Sequence, residues 1–221
     1  MRVLVVGCER YYRRTFSNML QENMCFYDHI GFRRDDADEC SLDLILQSIN
    51  SFQDSLSLDR VVIVGHSIHA YMAVEYAKKF PDRVDKVILI GSGPYSDFEA
   101  ADNYFEEFAN ADRKEVLEKN LSLPPGYFSA DPFIDRMLRF GPMLWYDYNY
   151  DGKSLWEGVA FNHNAANIIW GDMFKDYKIE EFTHPTAVMI GRYDFFNPPH
   201  LWVNNSNLII FEKSGHTPQI E

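Results

Sequence analysis

Three residues distant in sequence are of the types that hydroxyl-based nucleophilic catalysis needs: Ser67, Asp194 and His216. A serine hydroxyl is a weak nucleophile at neutral pH, so an imidazole must take its proton and a third group must orient that imidazole. Placement singles these three out. Val61-Val62-Ile63-Val64 precedes Ser67, Thr186-Ala187-Val188-Met189-Ile190 precedes Asp194, and Leu208-Ile209-Ile210-Phe211 precedes His216. Short apolar runs of this kind read as buried strands. Ser67 lies in Gly65-His66-Ser67-Ile68-His69, and a segment with helical spacing follows it to Phe80. Strand, sharp turn with a serine at its apex, helix: this is the layout of a nucleophile elbow, which lifts the hydroxyl above the strand end beside the unpaired N–H groups of a helix start. The last glycine of the G-x-S-x-G pattern is replaced here by His69.

The elements that must position these residues can be read along the chain. Val3 to Val6 is a first strand ending in Gly7-Cys8, and Tyr11 to Glu22 has mixed helical periodicity. Met24-Cys25-Phe26-Tyr27 is a second strand, with a turn at Asp28-His29-Ile30-Gly31 and a charged loop from Arg33 to Glu39. Ser41 is placed to cap a helix whose Leu42, Ile45, Leu46 and Ile49 follow the 3.6-residue period. After the elbow and its helix, Pro81-Asp82-Arg83 is a stop signal and Val87 to Gly91 a further strand. This β-α-β-α-β-α-β alternation needs crossover helices and predicts an α/β fold with a mostly parallel, doubly wound sheet. In such a sheet all strand C-termini share one edge, so Ser67, Asp194 and His216 would converge there. From 94 to 185 the strand signals vanish; that segment carries 17 acidic against 8 basic residues and 19 of the chain's 34 aromatics. It reads as a helical cap inserted into a core formed by 1–93 and 186–221.

Composition narrows the function classes. With 221 residues, 46% hydrophobic and 15% aromatic, the chain can bury one sizeable domain core. A net charge of −12 leaves no basic stripe for phosphates and disfavours nucleic acid and anionic membrane surfaces as partners. Cys8, Cys25 and Cys40 lack metal-ligand spacing and are odd in number, which fits reduced thiols in a cytoplasmic protein. No leader peptide or bilayer-length apolar run is read. Paired His or His-Glu ligand spacings are missing, so no metal site is expected. His163 and His184 read as structural.

With the elbow and its helix (Tyr71 to Val84), Gly191-Arg192-Tyr193-Asp194 and Ser214-Gly215-His216-Thr217-Pro218 in view, the chain resembles the α/β-hydrolase superfamily, in particular its proline-iminopeptidase-like branch with a helical cap. The order Ser, Asp, His is that superfamily's triad order. The resemblance implies that Ser67 attacks an acyl carbon, that His216 takes and returns its proton, and that Asp194 fixes the imidazole. It further implies an oxyanion hole from the backbone N–H groups of Ile68 and Cys8, and no cofactor. The chain departs from the family pattern at Val6-Gly7, where His-Gly is usual, and at His69, whose imidazole must either point into the site or push the helix off the strand. The family's opening hairpin and closing helix are not recognised, which would uncover a sheet face near His216.

For the substrate, Ser154-Leu155-Trp156-Glu157-Gly158 resembles the segment with which iminopeptidase caps hold a free α-amine. Glu157 would meet the cation, Trp156 would add a cation–π face, and Trp145 would line an apolar acyl pocket. The expectation is therefore a cofactor-free serine hydrolase acting on a small ester, amide or short peptide. The competing expectation, motivated by His69, Val6 and the short ends, is a non-catalytic small-molecule binding protein on the same fold.

Overall fold

The computed structural model describes residues 2–32, 40–179, 184–202 and 207–221. The charged loop expected at 33–39 lies outside the described residues. Six strands, β1 (Val3–Gly7), β2 (Met24–Asp28), β3 (Val61–His66), β4 (Val84–Ile90), β5 (Thr186–Gly191) and β6 (Leu208–Phe211), form one sheet in the order β2-β1-β3-β4-β5-β6. Every neighbouring pair is parallel. The chain moves outward from β1 to β2 and returns past β1 to β3. The strand order therefore reverses between β1 and β3, and the crevice beyond their C-terminal ends is where open α/β sheets bind ligands. Cys8 follows β1 and Ser67 follows β3, so both border that crevice.

The strand pattern explains the two-sided core. Leu4 and Val6 of β1, with Val61 and Ile63 of β3, pack on one face against Ile45, Leu46 and Ile49 of α3 (Leu42–Ser55) and the buried side of α4 (His69–Lys79). Val5 and Val64, of opposite parity, pack on the other face with Tyr11, Tyr12 and Phe16. Each such fully buried aliphatic side chain contributes roughly 1.5–3 kcal/mol. Ser41 caps α3 as expected, accepting from the Leu44 N–H at 3.3 Å.

Two elements differ from the sequence reading. The expected helical stretch from Tyr11 to Glu22 divides into α1 (Glu9–Thr15) and α2 (Asn18–Gln21), because Phe16 adopts extended backbone that buries its ring among Tyr12 and Phe26. Strand β4 starts three residues earlier than Val87, where Arg60 holds both the Val84 carbonyl and the Asp85 carboxylate.

Between β4 and β5 the described residues form α5 (Phe98–Phe108), α6 (Ala111–Ser122), α7 (Pro132–Arg139), α8 (Gly141–Leu144), α9 (His163–Asn167) and single turns, with one antiparallel bridge from Tyr95 to Lys178. Asp97, Asn110, Asp131 and Asn162 cap four of these helices with side-chain oxygens. Tyr104, Phe105, Leu117 and Met143 cluster with Phe195, tying the segment to the loop after β5. The α8 turn is held by buried Arg113, whose guanidinium donates to the carbonyls of Pro142, Trp145 and Tyr146. On the edge strand β6, Ile209 and Phe211 are exposed.

Candidate active site

Ser67 has φ +56°, one of two non-glycine residues in the left-handed region among the described residues. That conformation is sparsely populated for side-chain-bearing residues and is held here by the surroundings. The Ser67 N–H donates to the Ile90 carbonyl of β4 at 2.9 Å, fixing the turn to the sheet, and Ala70 N–H closes onto the Ser67 carbonyl at 3.0 Å. Gly65 makes the tight turn possible: a Cβ there would stand 2.5 Å from Ala70 Cα and collide with the His69 carbonyl. Ser67 and Ile68 remain partly accessible while His66 and His69 are buried. The Ile68 N–H lies at the start of α4, in the turn whose donors lack intrahelical acceptors.

Asp194 is fully buried. One carboxylate oxygen, Oδ1, accepts the N–H groups of Phe196 (3.1 Å) and Asn197 (2.9 Å), and Oδ2 lies 2.9 Å from His216 Nδ1. With the carboxylate on Nδ1, the neutral imidazole carries its proton there and its free lone pair on Nε2. Among the described residues no hydrogen bond joins His216 to the Ser67 hydroxyl; such contacts are often long without substrate. The His216 loop is pinned on several sides. Its own N–H donates to Leu144 of α8 at 2.6 Å, and its carbonyl accepts from His66 Nε2 at 2.8 Å. The Glu221 carboxylate takes the N–H groups of Gly215 (2.7 Å) and Tyr146 (2.6 Å), clamping this loop to the end of α8. Burial raises the Glu221 carboxyl above its ordinary range despite these donors.

The loop after β1 is built on Gly7, whose φ of +137° and close approach to Tyr12 and His69 exclude a side chain. Cys8 follows as the residue before α1, buried, and burial pushes its thiol up to about 12. The thiol therefore stays protonated at neutral pH. His69 meets neither expected fate. Its imidazole lies beneath Gly7, 2.8 Å from the Tyr12 hydroxyl and 2.8 Å from His29 Nε2, and the contact at Gly65 stays close.

The sequence profile of the family described as alpha/beta hydrolase fold matches residues 23–221. The chain belongs to the α/β-hydrolase family. This α/β-hydrolase is 32% identical over 242 aligned residues to the AB hydrolase superfamily protein YclE of Bacillus subtilis, spanning 99% of this chain and 86% of that protein. It is 26% identical over 220 residues to a proline iminopeptidase of Saccharolobus solfataricus, spanning 88% and 70% of the two chains. Its fold superposes on a thermophilic esterase from Thermogutta terrifontis with a TM-score of 0.69 at 20% identity, covering 100% of this chain and 84% of the other. A proline iminopeptidase from Mycobacterium smegmatis gives 0.68 at 15% identity, with 98% and 83% covered.

The remaining sequence-selected residues of this α/β-hydrolase are placed as follows. Trp156 packs on Tyr11 with ring centroids 4.5 Å apart and is half-buried, Trp145 is buried against Tyr150, and the Glu157 side chain is exposed. Arg14 holds the Glu157 carbonyl at 2.7 Å. His163 lies 3.2 Å from Asp131, and His184 Nε2 meets the Pro81 carbonyl at 3.0 Å. A surface groove bordered by Tyr104, Glu107, Phe108, Arg192, His200 and Ile210 contains none of Ser67, Asp194 and His216. No group of three or more metal-ligating side chains occurs among the described residues, and no helix there is long and apolar enough to cross a membrane. Sequence reasoning missed Tyr12, His29, His66, Asn197 and Glu221. Asn197, three residues after Asp194, stands at a turn-capping offset that signals it. The others act through contacts with no local signature.

Proposed function

We propose that this member of the family is a serine hydrolase that cleaves small esters or amides through an acyl-enzyme. The observation that carries the reading is the Asp194–His216 pair at the sheet edge that also bears Ser67 at the apex of a left-handed turn. In the reaction, Ser67 Oγ attacks the acyl carbon as its proton passes to His216 Nε2, and Asp194 stabilises the imidazolium. The oxyanion faces the N–H groups of Ile68 and Cys8; a donor of this kind contributes roughly 3 kcal/mol to the transition state. His216 then protonates the leaving group, and water repeats the sequence on the acyl-enzyme, releasing the acid and restoring the serine. The names of the relatives, an AB hydrolase superfamily protein and a proline iminopeptidase, agree with this chemistry.

The exposed Glu157 argues against a large contribution from binding a free amine, since an ion pair in water contributes about 0–1 kcal/mol. Uncharged acyl groups are therefore assigned ahead of aminoacyl ones. A fluorophosphonate probe is expected to label the wild-type protein and not Ser67→Ala, while a panel of chromogenic esters and aminoacyl arylamides is turned over by the wild type alone. A folded wild-type protein that resists the probe and melts at a higher temperature with ligand, without turnover, would be a binding protein instead.

A further inference from the structure

The His69 imidazole stands where the elbow pattern has a glycine, and the contacts around it form a chain whose direction is fixed from both ends. At one end the Gly31 N–H, which can only donate, meets His29 Nδ1 at 3.0 Å. The neutral His29 ring therefore bears its proton on Nε2, and it donates that proton to His69 Nε2 at 2.8 Å. His69 must then carry its own proton on Nδ1, which is 2.8 Å from the Tyr12 hydroxyl. The hydroxyl, already accepting from His69, turns its proton to His66, whose Nδ1 and carbonyl oxygen both lie at 3.4 Å. At the other end the His216 carbonyl, which can only accept, requires a proton on His66 Nε2 at 2.8 Å. His66 Nδ1 is thereby left as an acceptor, which is what the Tyr12 hydroxyl needs. Four side chains and two backbone anchors satisfy one another in this direction, with the His69 Nδ1–H also 3.2 Å from the His66 carbonyl.

We infer that His29, His69, Tyr12 and His66 form a directed hydrogen-bond chain that positions the His216 backbone against the loop carrying Cys8. The inference rests on the proposed hydrolase reading for its catalytic meaning. All four side chains are buried, so each polar atom left unpaired there is costly and the arrangement is self-enforcing. The chain joins the two halves of the candidate site. Tyr12 belongs to α1, and its N–H closes the first turn onto the Cys8 carbonyl at 2.9 Å. His66 holds the carbonyl of His216, whose ring is held by Asp194. A glycine at position 69 would leave the Tyr12 hydroxyl and His29 without their shared partner. Burial, followed by the neighbouring His216, lowers the His66 imidazole to about 3, and burial with His29 carries His69 well below its ordinary range. The His66 and His69 rings thus stay neutral where an exposed imidazole would titrate. These four are positioning residues, since none is placed on the reacting atoms.

The chain is tested on the full-length protein by long-range proton–nitrogen NMR of the imidazoles, first in Ser67→Ala, which leaves the network untouched. Nε2–H tautomers are expected for His29 and His66 and the Nδ1–H tautomer for His69 at pH 7. The opposite tautomer or an imidazolium at any of the three overturns the chain. The catalytic arm uses a chromogenic ester with Tyr12→Phe, His69→Leu and His69→Asn. Tyr12→Phe and His69→Leu should lower kcat by about 10- to 100-fold with KM within twofold, the scale of a small displacement of catalytic groups. His69→Asn, whose amide can still donate towards Tyr12, should recover most of that loss. Unchanged kcat in Tyr12→Phe, or losses that follow melting temperature across the variants, would refute positioning. If wild-type Ser67 fails to react with the fluorophosphonate, the hydrolase reading falls, while the tautomers still decide whether the chain exists.

Discussion

Replacing Asp194 by asparagine separates the two duties of its carboxylate. Oδ1 accepts two backbone N–H groups, from Phe196 and Asn197, and an asparagine carbonyl in the same place keeps both. Oδ2 accepts from His216 Nδ1 at 2.9 Å; there the amide presents N–H instead, and His216 must shift its proton to Nε2 to accept from it. On the proposed mechanism, the nitrogen that takes the Ser67 proton is then already protonated. This tautomer swap costs about 10⁴-fold in kcat where it has been made in a serine protease, equivalent to about 5.5 kcal/mol at 1.36 kcal/mol per tenfold. The stability cost should be small, about 1–2 kcal/mol, because one charge-assisted bond is exchanged for a neutral one. Asp194→Ala behaves differently: it strands two backbone N–H groups and an imidazole in a site with 0% exposure, for about 3–5 kcal/mol. Ester hydrolysis and thermal melts on the three proteins read both effects. An Asp194→Asn protein keeping more than about a tenth of wild-type kcat would refute the tautomer argument.

Gly65→Ala should abolish soluble expression or lower stability by more than about 3 kcal/mol, since backbone of the elbow occupies the space of its Cβ and overpacked cores lose roughly that much; a melt within a few degrees of wild type would show the elbow to be more pliable than drawn. A further prediction concerns acid. Burial alone would raise the Asp135 carboxyl, but Arg139 at 2.8 Å and the N–H groups of Phe128, Gly126 and Ser129 outweigh it and hold it at about 2, below the ordinary 3.8. A depressed carboxylate stabilises the fold above its ordinary value and loses that stabilisation as pH falls from about 4 towards 2, here about 2 kcal/mol. Asp135→Asn should show that deficit at pH 7 in denaturant titrations and narrow its gap to wild type below pH 3.

The strands were legible because β-branched and aliphatic runs bounded by glycine leave little choice of element, and the β-α alternation forces parallel pairing. That topology in turn brought Ser67, Asp194 and His216 to one sheet edge on paper, and the structure pairs the latter two. The break in the helical stretch after Tyr11 was not legible, since nothing local tells a helical Phe16 from an extended one that buries its ring. His69 was visible as a departure but its consequence was not: whether an imidazole fills a site, displaces a helix or is absorbed depends on its neighbours. Those neighbours, Tyr12 and His29, lie 57 and 40 residues away.

The sequence by itself determined the α/β class and the strand-turn-helix with Ser67 at its apex, and it nominated Asp194 and His216, which the structure pairs, because these follow from short-range patterns and the rule that parallel strands end on one edge. Tertiary structure alone decided how the His216 loop is held, through Leu144, Glu221 and His66, and how an imidazole in place of a glycine becomes part of a buried hydrogen-bonded chain. Such partners are chosen by proximity in the fold, and a buried polar group must find them wherever the chain brings them.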